Sequence, residues 1–275
     1  MPNFGYHLAR AEGAAVRRIF STTLPVLVRR KTVIRRASLP FEVYSYSGEQ
    51  TLPEQVASIR SFLRHAGRPI KWTIASDGTH GERSIRLLQS ISPIVTVSQP
   101  NEWFTDDASP ELLPYLRDHS TGRQLALIMS LPRRDAAFYV DSDVLFFDGA
   151  RDALTMSEPA YLADCQLSAD ERLFRSPAEK AAPVNTGVLF LPKKLDWSLG
   201  VCRFLELDAA PSFFTNQTIT HLVMHANGVQ PFDPRRFVLQ LDDQFIYPDK
   251  YAGPDIVLRH YVQPVRHKFW NQVWR

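Results

Sequence analysis

The sequence of 275 residues has little from which to build a disulfide framework, a cysteine metal site or a membrane span. Its two cysteines, Cys165 and Cys202, have no spacing typical of zinc sites and are too few for a disulfide framework. No apolar run approaches the roughly 20 residues that cross a bilayer. The first residues contain no clear signal-peptide core. These features predict a protein of the reducing cytoplasm.

Several familiar functional motifs are also missing. The sequence contains no Gly-x-Gly-x-x-Gly or Walker loop and no nucleophile elbow of the form Gly-x-Ser-x-Gly. His221 and His225 have helical spacing, but no Glu follows His221, which excludes the zinc-protease motif. The formal net charge of +3 is small. It gives no reason to expect nucleic acid as a partner.

Positive charge is concentrated at the start of the chain. Residues 1–38 contain eight Lys or Arg and one acid, Glu12, so this segment carries +7 and the remainder −4. A basic amphipathic segment can lie on an anionic membrane surface, or it can be a structural extension with solvated charges. Pro25 argues against one long helix. We divide the chain into a basic N-terminal extension, 1–38, and a single domain, 39–275.

The next part of the chain alternates between two periodicities. Strand patterns at 41–46, 70–75 and 94–97 alternate with helical patterns, and capping-box spacing predicts helix starts at Thr51 and Thr79. Such alternation predicts right-handed βαβ units and a mainly parallel, Rossmann-like α/β sheet flanked by helices. The second half is less regular, with strand patterns at 160–163, 188–191 and 256–260.

The most informative segment is 138–147, which reads Phe-Tyr-Val-Asp-Ser-Asp-Val-Leu-Phe-Phe. A carboxylate in such an apolar run is costly to bury unless it is paired or bound to metal. Asp141 and Asp143 lie on one face of an extended backbone, where the strand ends and ligands of open α/β sheets bind. Oxygen ligands suit Mg²⁺ or Mn²⁺. The alternative is a surface turn with two solvated acids.

This segment resembles the Asp-x-Asp motif of GT-A glycosyltransferases, which hold a divalent metal against the diphosphate of a nucleotide sugar. The resemblance implies that Asp141 and Asp143 are metal ligands and that Ser142 lies at the donor site. It also implies that 39–275 is one GT-A-like catalytic domain.

A second match lies near the C-terminal end, in Arg259-His260-Tyr261 and Arg266-His267-Lys268-Phe269-Trp270. It resembles the His-Tyr-x-Gly-x-x-Lys-Pro-Trp signature of family 8 glycosyltransferases, although Gln263 stands where Gly is expected. The resemblance implies that His260 is the third metal ligand and that Arg266 or Lys268 contacts phosphate. An imidazole ligand favours Mn²⁺. A structural, hydrogen-bonded histidine is the alternative for His260.

Two further segments resemble motifs of the same fold that border the donor sugar. Val184-Asn185-Thr186-Gly187-Val188 implies that Asn185 binds sugar hydroxyls and that Gly187 permits close approach of the backbone. Thr215-Asn216-Gln217 resembles the Asp-Gln pair of family 8 and implies that Gln217 lies on the reactive face, although Asn216 could simply cap a helix. Asp164 follows a strand pattern and is predicted to face sugar hydroxyls.

The strand ends in the first half predict the nucleotide-binding side. Ser45 and Tyr46 end the first strand, where base and ribose would bind. Asp77 ends the second and could accept a ribose or uracil hydrogen bond. Arg123 precedes the helix leading to Asp141, and in this fold a basic residue there often reaches the donor, so Arg123 is a candidate phosphate or sugar contact. Each of these residues could instead be an ordinary loop residue. By contrast, Asp242 and Asp243 lie in a polar stretch and are predicted to be solvated.

The resemblance covers roughly residues 40–270 in motif order. It implies a metal-dependent glycosyltransferase that moves a hexose from a nucleotide sugar, UDP-linked, to a hydroxyl of a glycan or glycolipid with retention. We expect a cytoplasmic protein, peripheral on the inner membrane face through 1–38. One alternative is a sugar-phosphate nucleotidyltransferase, but the Ser-Gly-Glu-Gln segment at 47–50 is neither glycine-rich nor basic. The other is a non-catalytic membrane- or partner-binding domain.

Overall fold

A computed structural model describes residues 3–30, 35, 37–105, 108–151 and 153–274. The strands in these residues are β1 (Glu42–Ser47), β2 (Trp72–Ser76), β3 (Val95–Ser98), β4 (Ala137–Val140), β5 (Val144–Phe146), β6 (Ala160–Ala163), β7 (Val184–Leu191), β8 (Gln230–Pro231), β9 (Phe237–Val238) and β10 (Leu258–His260). The helices are α1 (Phe4–Arg29), α2 (Leu52–His65), α3 (Glu82–Gln89), α4 (Pro100–Trp103), α5 (Leu113–Asp118), α6 (Ser120–Met129), α7 (Ser198–Leu205), α8 (Thr215–Ala226) and α9 (Arg266–Gln272).

A central sheet with the strand order β3-β2-β1-β4-β7-β6-β8 organises these elements. Strands β3, β2, β1 and β4 pair in parallel, as the alternation of strands and helices predicts. Strand β7 runs antiparallel to both β4 and β6. Because β7 is reversed, its first residues lie at the same edge of the sheet as the last residues of β4. The predicted α/β fold with a mainly parallel sheet is confirmed.

A smaller sheet with the order β5-β10-β9 stands beside the central one. Strand β5 begins one residue after Asp143, and β10 ends at His260. The two strands are antiparallel, in a register that opposes His260 to Val144. This pairing brings the end of β10 to the end of β4, although the two strands are far apart in the sequence.

Strand β4 is buried on both faces, which explains its continuous apolar sequence. Phe138 faces a cluster of aromatic side chains, with Phe62 of α2 and Phe146 of β5 at ring-centroid distances of 6.5 and 6.3 Å. Tyr139 points to the opposite face, toward α6. Because side chains alternate along a strand, Asp141 shares the face of Tyr139.

The start of the chain forms one helix, so the interpretation that Pro25 prevents a long helix is wrong. Proline has no N–H to donate to the Ser21 carbonyl, so the helix continues through Pro25 at the cost of one backbone hydrogen bond. Packing compensates, since Phe20, Leu24 and Val28 are buried at helical spacing. No helix in the described part of the chain is long and apolar enough to cross a membrane.

Helix α1 packs on the domain through its buried face. The Phe20 ring lies 5.3 Å from the rings of both Trp270 and Trp274. Arg17 forms an ion pair of 2.7 Å with the buried Glu54 of α2. Much of the predicted extension is therefore a packed structural element, while residues 31–34 and 36 lie outside the described residues.

Thr51 is the N-cap of α2, so the predicted helix start is confirmed, but the capping box itself is not formed. Glu54 pairs with Arg17 instead, and Thr51 makes no side-chain cap to α2. Helix α3 has Gly81 as its N-cap, and the Thr79 hydroxyl donates to Asp77 at 2.6 Å. A long-range ion pair competes with capping at Thr51, and a neighbouring carboxylate does so at Thr79. The four-residue pattern carries no information about either competitor.

We expect Gly13→Ala to destabilise the protein, because an added Cβ would lie 2.4 Å from the His267 carbonyl oxygen of α9. Strain of this kind costs roughly 1–3 kcal/mol, and denaturant unfolding measures it. Gly5→Ala is the matched control in the same helix, since its Cβ would meet Tyr247 at an ordinary 3.5 Å. Gly5→Ala should be neutral or stabilise by up to about 1 kcal/mol. Equal effects of the two changes would contradict the packing of α1 on α9.

Candidate active site

One cavity of about 390 Å³ opens where β4, β6 and β10 end and β7 begins. Asp141 and Asp143 follow β4, Asp164 follows β6, and His260 ends β10. Asn185 enters from the first residues of β7, and Gln217 from the first turn of α8. The wall and mouth add further side chains, among them Thr121, Gln124, Gln166, Ser168, Phe213, Phe214, Asn216, Leu239, Leu241 and Arg266.

Asp141, Asp143 and His260 form a group with the geometry of a metal site. One ligand atom from each lies within 4.8 Å of the other two. The His260 Nε2 atom is 3.0 Å from Asp143 Oδ1 and 3.7 Å from Asp141 Oδ2. Asp143 and His260 are buried, while Asp141 is half-buried and faces the cavity. Two carboxylates and one imidazole are a suitable donor set for Mn²⁺, and the carboxylates also suit Mg²⁺.

The orientation of His260 supports this fit. Asn185 Oδ1 accepts the Gly187 amide at 2.9 Å and lies 3.0 Å from His260 Nδ1. A carbonyl oxygen can only accept, so Nδ1 carries the hydrogen and donates. The Nε2 atom then faces two carboxylates. A proton or a cation must lie between these electron-rich atoms. A histidine that binds a metal through one ring nitrogen is normally held by a hydrogen bond at its other ring nitrogen, as His260 is here.

The charges of the group are strongly interdependent. Burial raises the pKa of Asp141, aided by the nearby charge of Asp143 and only partly opposed by His260. Burial also acts to raise the pKa of Asp143, but His260 and Arg266 outweigh it and lower the pKa to about 2. Arg266 donates to Asp143 Oδ2 at 2.5 Å. The group therefore keeps a carboxylate ionised in a buried place, where a cation gains most.

A chain of hydrogen bonds that the sequence analysis missed holds Asp141. Tyr139 donates its hydroxyl to Asp141 Oδ1 at 2.7 Å, and the Gln124 amide donates to the same oxygen at 2.9 Å. Asn216 in turn donates to Gln124 Oε1 at 2.8 Å. The sequence carried one signal, the i, i+2 spacing of Tyr139 and Asp141. Asn216 was predicted as a possible helix cap, but Phe214 is the N-cap of α8.

Asp164 stands on the opposite side of the cavity between two amides. Its Oδ2 atom accepts from Asn185 Nδ2 and from Gln217 Nε2, both at 3.2 Å. Gln217 also donates to the Ser168 carbonyl at 2.9 Å. The three residues predicted to meet the sugar are thus in mutual contact, and Asn185 links them to His260.

The four residues predicted for the nucleotide side form a neighbouring group that does not line the 390 Å³ cavity. Arg123 donates to the Asp77 carbonyl at 2.9 Å. Burial, and then the charge of Asp77, raises the pKa of Tyr46 to about 12, against the opposing effect of Arg123. Ser45 is fully buried and accepts from Trp72 Nε1 at 3.2 Å. Their binding roles stay predictions.

The two basic candidates for phosphate lie in different places. Arg266 lines the cavity, whereas Lys268 is 1% exposed and donates to the carbonyl oxygen of Ile246 at 2.5 Å. Lys268 is also 3.5 Å from Asp243, which pairs with the buried Arg259 at 2.7 Å. The prediction that Asp243 is solvated is therefore wrong, because the folded chain supplies two buried cations.

The remaining donor-site candidates lie beside the metal group. Ser142 is buried between the two aspartates. Gly187 accepts the Asp141 amide through its carbonyl oxygen at 2.8 Å. A Cβ at Gly187 would stand 2.2 Å from His260 Cε1. Glycine is needed here because the imidazole of His260 closely approaches the backbone.

Comparison with solved structures identifies the fold. The chain is similar to the galactosyltransferase LgtC, solved in complex with donor and acceptor sugar analogs, with a TM-score of 0.54 and 12% identity over 85% of this chain and 95% of that one. The chain has the GT-A glycosyltransferase fold. No protein-family model and no curated protein matches the sequence.

Two other glycosyltransferases share the GT-A fold of this chain. The bifunctional WbbM gives a TM-score of 0.55 and 15% identity, with 86% of this chain covering 49% of WbbM. Mouse xyloside xylosyltransferase 1 gives a TM-score of 0.51 and 12% identity, with 83% of this chain covering 99% of that one. The similarity to GT-A structures therefore extends over most of the chain, while the sequences have diverged widely.

We expect Gly187→Ala to weaken binding of Mn²⁺, because the methyl group displaces the His260 ring from the two aspartates. Disturbing the support of a metal ligand typically costs 10- to 100-fold in affinity, and titration of the protein with Mn²⁺ alone measures it. Gly81→Ala is the control, since its Cβ would meet nothing within 4 Å. Unchanged Mn²⁺ affinity in a folded Gly187→Ala protein would exclude His260 as a ligand.

Proposed function

We propose that this protein is a metal-dependent glycosyltransferase that moves a hexose from a nucleotide sugar, UDP-linked, to a hydroxyl of a glycan or glycolipid. The observation that carries the proposal is the group of Asp141, Asp143 and His260 in a cavity of a GT-A fold. Two carboxylates and an oriented imidazole at strand ends suit a divalent cation that meets a diphosphate.

Different side chains would bind the metal and contact the diphosphate of the donor. Asp141, Asp143 and His260 would hold Mn²⁺ or Mg²⁺, which when bound neutralises the charge that grows on a departing diphosphate. Arg266, at 2.5 Å from Asp143, brings a second positive charge to the same place. Lys268 is buried against backbone carbonyls, so Arg266 is our choice for the phosphate contact.

Amide side chains dominate the sugar end of the cavity. For sugar hydroxyls, Asn185 offers its second amide hydrogen and Gln217 its amide oxygen, and both residues already orient the Asp164 carboxylate. By its resemblance to the family 8 motif, Gln217 would lie on the reactive face of the donor, and the same resemblance implies retention. Because an amide is a poor nucleophile, Gln217 favours front-face displacement, in which the acceptor attacks on the side from which the diphosphate leaves.

The nucleotide would extend from the phosphates toward the ends of β1 and β2. Ser45 and Tyr46 would border the base and ribose, Asp77 would accept a hydrogen bond from either, and Arg123 would reach the donor from α6. The contact of Arg123 with the Asp77 carbonyl supports a shared role. The acceptor would be a saccharide or a lipid-linked saccharide, reached at the cytoplasmic membrane face, with 1–38 as a peripheral contact and 39–275 as the catalytic domain.

Calorimetric titration tests the donor site. We expect UDP to bind only when Mn²⁺ is present, and Asp143→Asn to lose at least tenfold in this metal-dependent affinity because one ligand charge is removed. Asp135→Asn is the matched control, since Asp135 is exposed and precedes β4, at the sheet edge opposite the cavity. GDP and UDP-hexoses in the same series define the base and the sugar.

Three results would contradict the proposal. They are the absence of binding by every nucleotide tested, equal binding with and without metal, and equal loss in Asp135→Asn.

A second variant tests the sugar end. Gln217→Ala should leave UDP affinity unchanged but lower turnover of the donor on the order of 10²-fold, because Asp164 loses one of its two amide supports. Release of UDP from the UDP-hexose identified by titration gives the rate. Gln89→Ala, at the exposed end of α3, is the control. Full turnover in Gln217→Ala would remove this residue from the reaction.

A further inference from the structure

Helix α1 has a second apolar face, opposite the one packed on the domain. Its buried side chains include Phe20, Leu24 and Val28. The exposed apolar side chains recur every three or four residues, a spacing that places them in one stripe along the helix. We call this the α1 stripe; it consists of the apolar Phe4, Leu8, Ala11, Ala15, Ile19 and Val26 and one polar member, Thr22.

The α1 stripe is strongly exposed. Phe4 is 82%, Leu8 58%, Ile19 55% and Val26 57% accessible. The apolar surface continues beyond the first turn, where the exposed Phe245 ring lies 5.3 Å from Tyr6. Scattered exposed hydrophobic residues need no explanation, but a continuous apolar row along a helix marks an interaction surface.

A cavity of about 350 Å³ lies at the C-terminal end of this helix. Arg30, Arg60 and Arg64 contribute its charge, and no carboxylate is among the described residues that line it. Phe146 contributes to its apolar lining, and Trp274, half exposed, stands at its edge. We call this the arginine cavity. It combines cations with apolar and aromatic surface, as an amphiphilic anion requires.

Two of these arginines lie close enough for their charges to interact. Burial and the neighbouring charge of Arg64 both lower the pKa of Arg60. Arg60 is held in place by the Leu27 carbonyl at 2.9 Å and the Arg30 carbonyl at 3.3 Å, both at the end of α1. A phosphate in the cavity would accept charge-assisted hydrogen bonds from these arginines.

We propose that the α1 stripe and the arginine cavity together form a docking surface for an anionic lipid bilayer, with a lipid phosphate group in the cavity. The stripe would lie in the plane of the interface with its apolar side chains below the headgroups. This inference deepens the membrane contact of the proposed function and does not depend on the transferase chemistry.

The positive charge around the stripe favours an anionic bilayer over a second copy of the chain as the partner of this surface. Arg18 lies three residues from Ala15 and four from Thr22, and Arg29 lies three residues from Val26, so both flank the stripe. Helix α1 itself contains four arginines and one acid, Glu12, a net charge of +3. Two copies of this helix would repel when paired, whereas an anionic bilayer attracts each arginine. A tryptophan at the edge is typical of the boundary between membrane and water.

Vesicle co-sedimentation of the whole protein tests the inference. We expect binding to vesicles of equal parts phosphatidylcholine and phosphatidylglycerol, weakening as salt rises, and no binding to phosphatidylcholine alone. Arg30→Gln with Arg64→Gln should reduce binding on the order of tenfold or more, since each arginine near an anionic surface contributes roughly fivefold. Leu8→Gln with Ile19→Gln should also reduce binding, through loss of the apolar contact.

The matched control is Arg175→Gln with Arg235→Gln, which removes two exposed arginines elsewhere. It loses the same charge, so it should bind nearly as the wild type does. Circular dichroism and thermal unfolding of each protein show whether the fold is intact. Metal-dependent UDP binding, measured in parallel, then keeps failure of the transferase proposal separate from failure of this one.

Three outcomes would overturn the inference. The first is equal binding to both vesicle types, or to neither. The second is a protein that binds inorganic phosphate or glycerol phosphate but not vesicles, and that loses this binding in Arg30→Gln with Arg64→Gln. That result would make the cavity a site for a free phosphate. The third is a dimer in solution that Leu8→Gln with Ile19→Gln dissociates, which would assign the stripe to a second copy.

Discussion

The pairing of β10 with β5 fixes the candidate metal group, because it brings together residues 117 positions apart. Asp143 precedes β5 by one residue and His260 ends β10, so the register that opposes His260 to Val144 places imidazole beside carboxylate. The Tyr261 amide adds a bond of 2.9 Å to the Asp143 carbonyl. The ligands are therefore positioned by backbone as well as by side chains, and they assemble only when both sheets have formed.

Buried ion pairs stabilise the position of β10. Arg259 is fully buried and pairs with Asp243 and Asp249, while Lys268 completes the group. Removing one partner from such a group leaves an uncompensated buried charge, which is strongly destabilising. The position of His260 thus depends on ion pairs that never touch the cavity. The same network explains why Lys268, within the signature-like segment, is buried and bonded to a backbone carbonyl.

Sequence reasoning succeeded where the information is local. Alternating periodicities predict the parallel sheet, and the apolar run before Asp141 and Asp143 correctly places these carboxylates after a strand. It failed where a distant residue decides the outcome: Glu54 leaves its capping box for Arg17, and Asp243 is buried by Arg259. Pro25 is tolerated because α1 packs on α9. Gln124 was missed because only the fold brings α6 to the end of β4.

The central claim is that Asp141, Asp143 and His260 bind one divalent cation together with the diphosphate of a nucleotide. Anomalous diffraction from crystals grown with Mn²⁺ and UDP tests it most directly. The account predicts one strong manganese peak at bonding distance from an oxygen of each aspartate and from His260 Nε2, with UDP phosphate oxygens completing its coordination. A manganese peak elsewhere, or UDP bound in the cavity without metal, would contradict it.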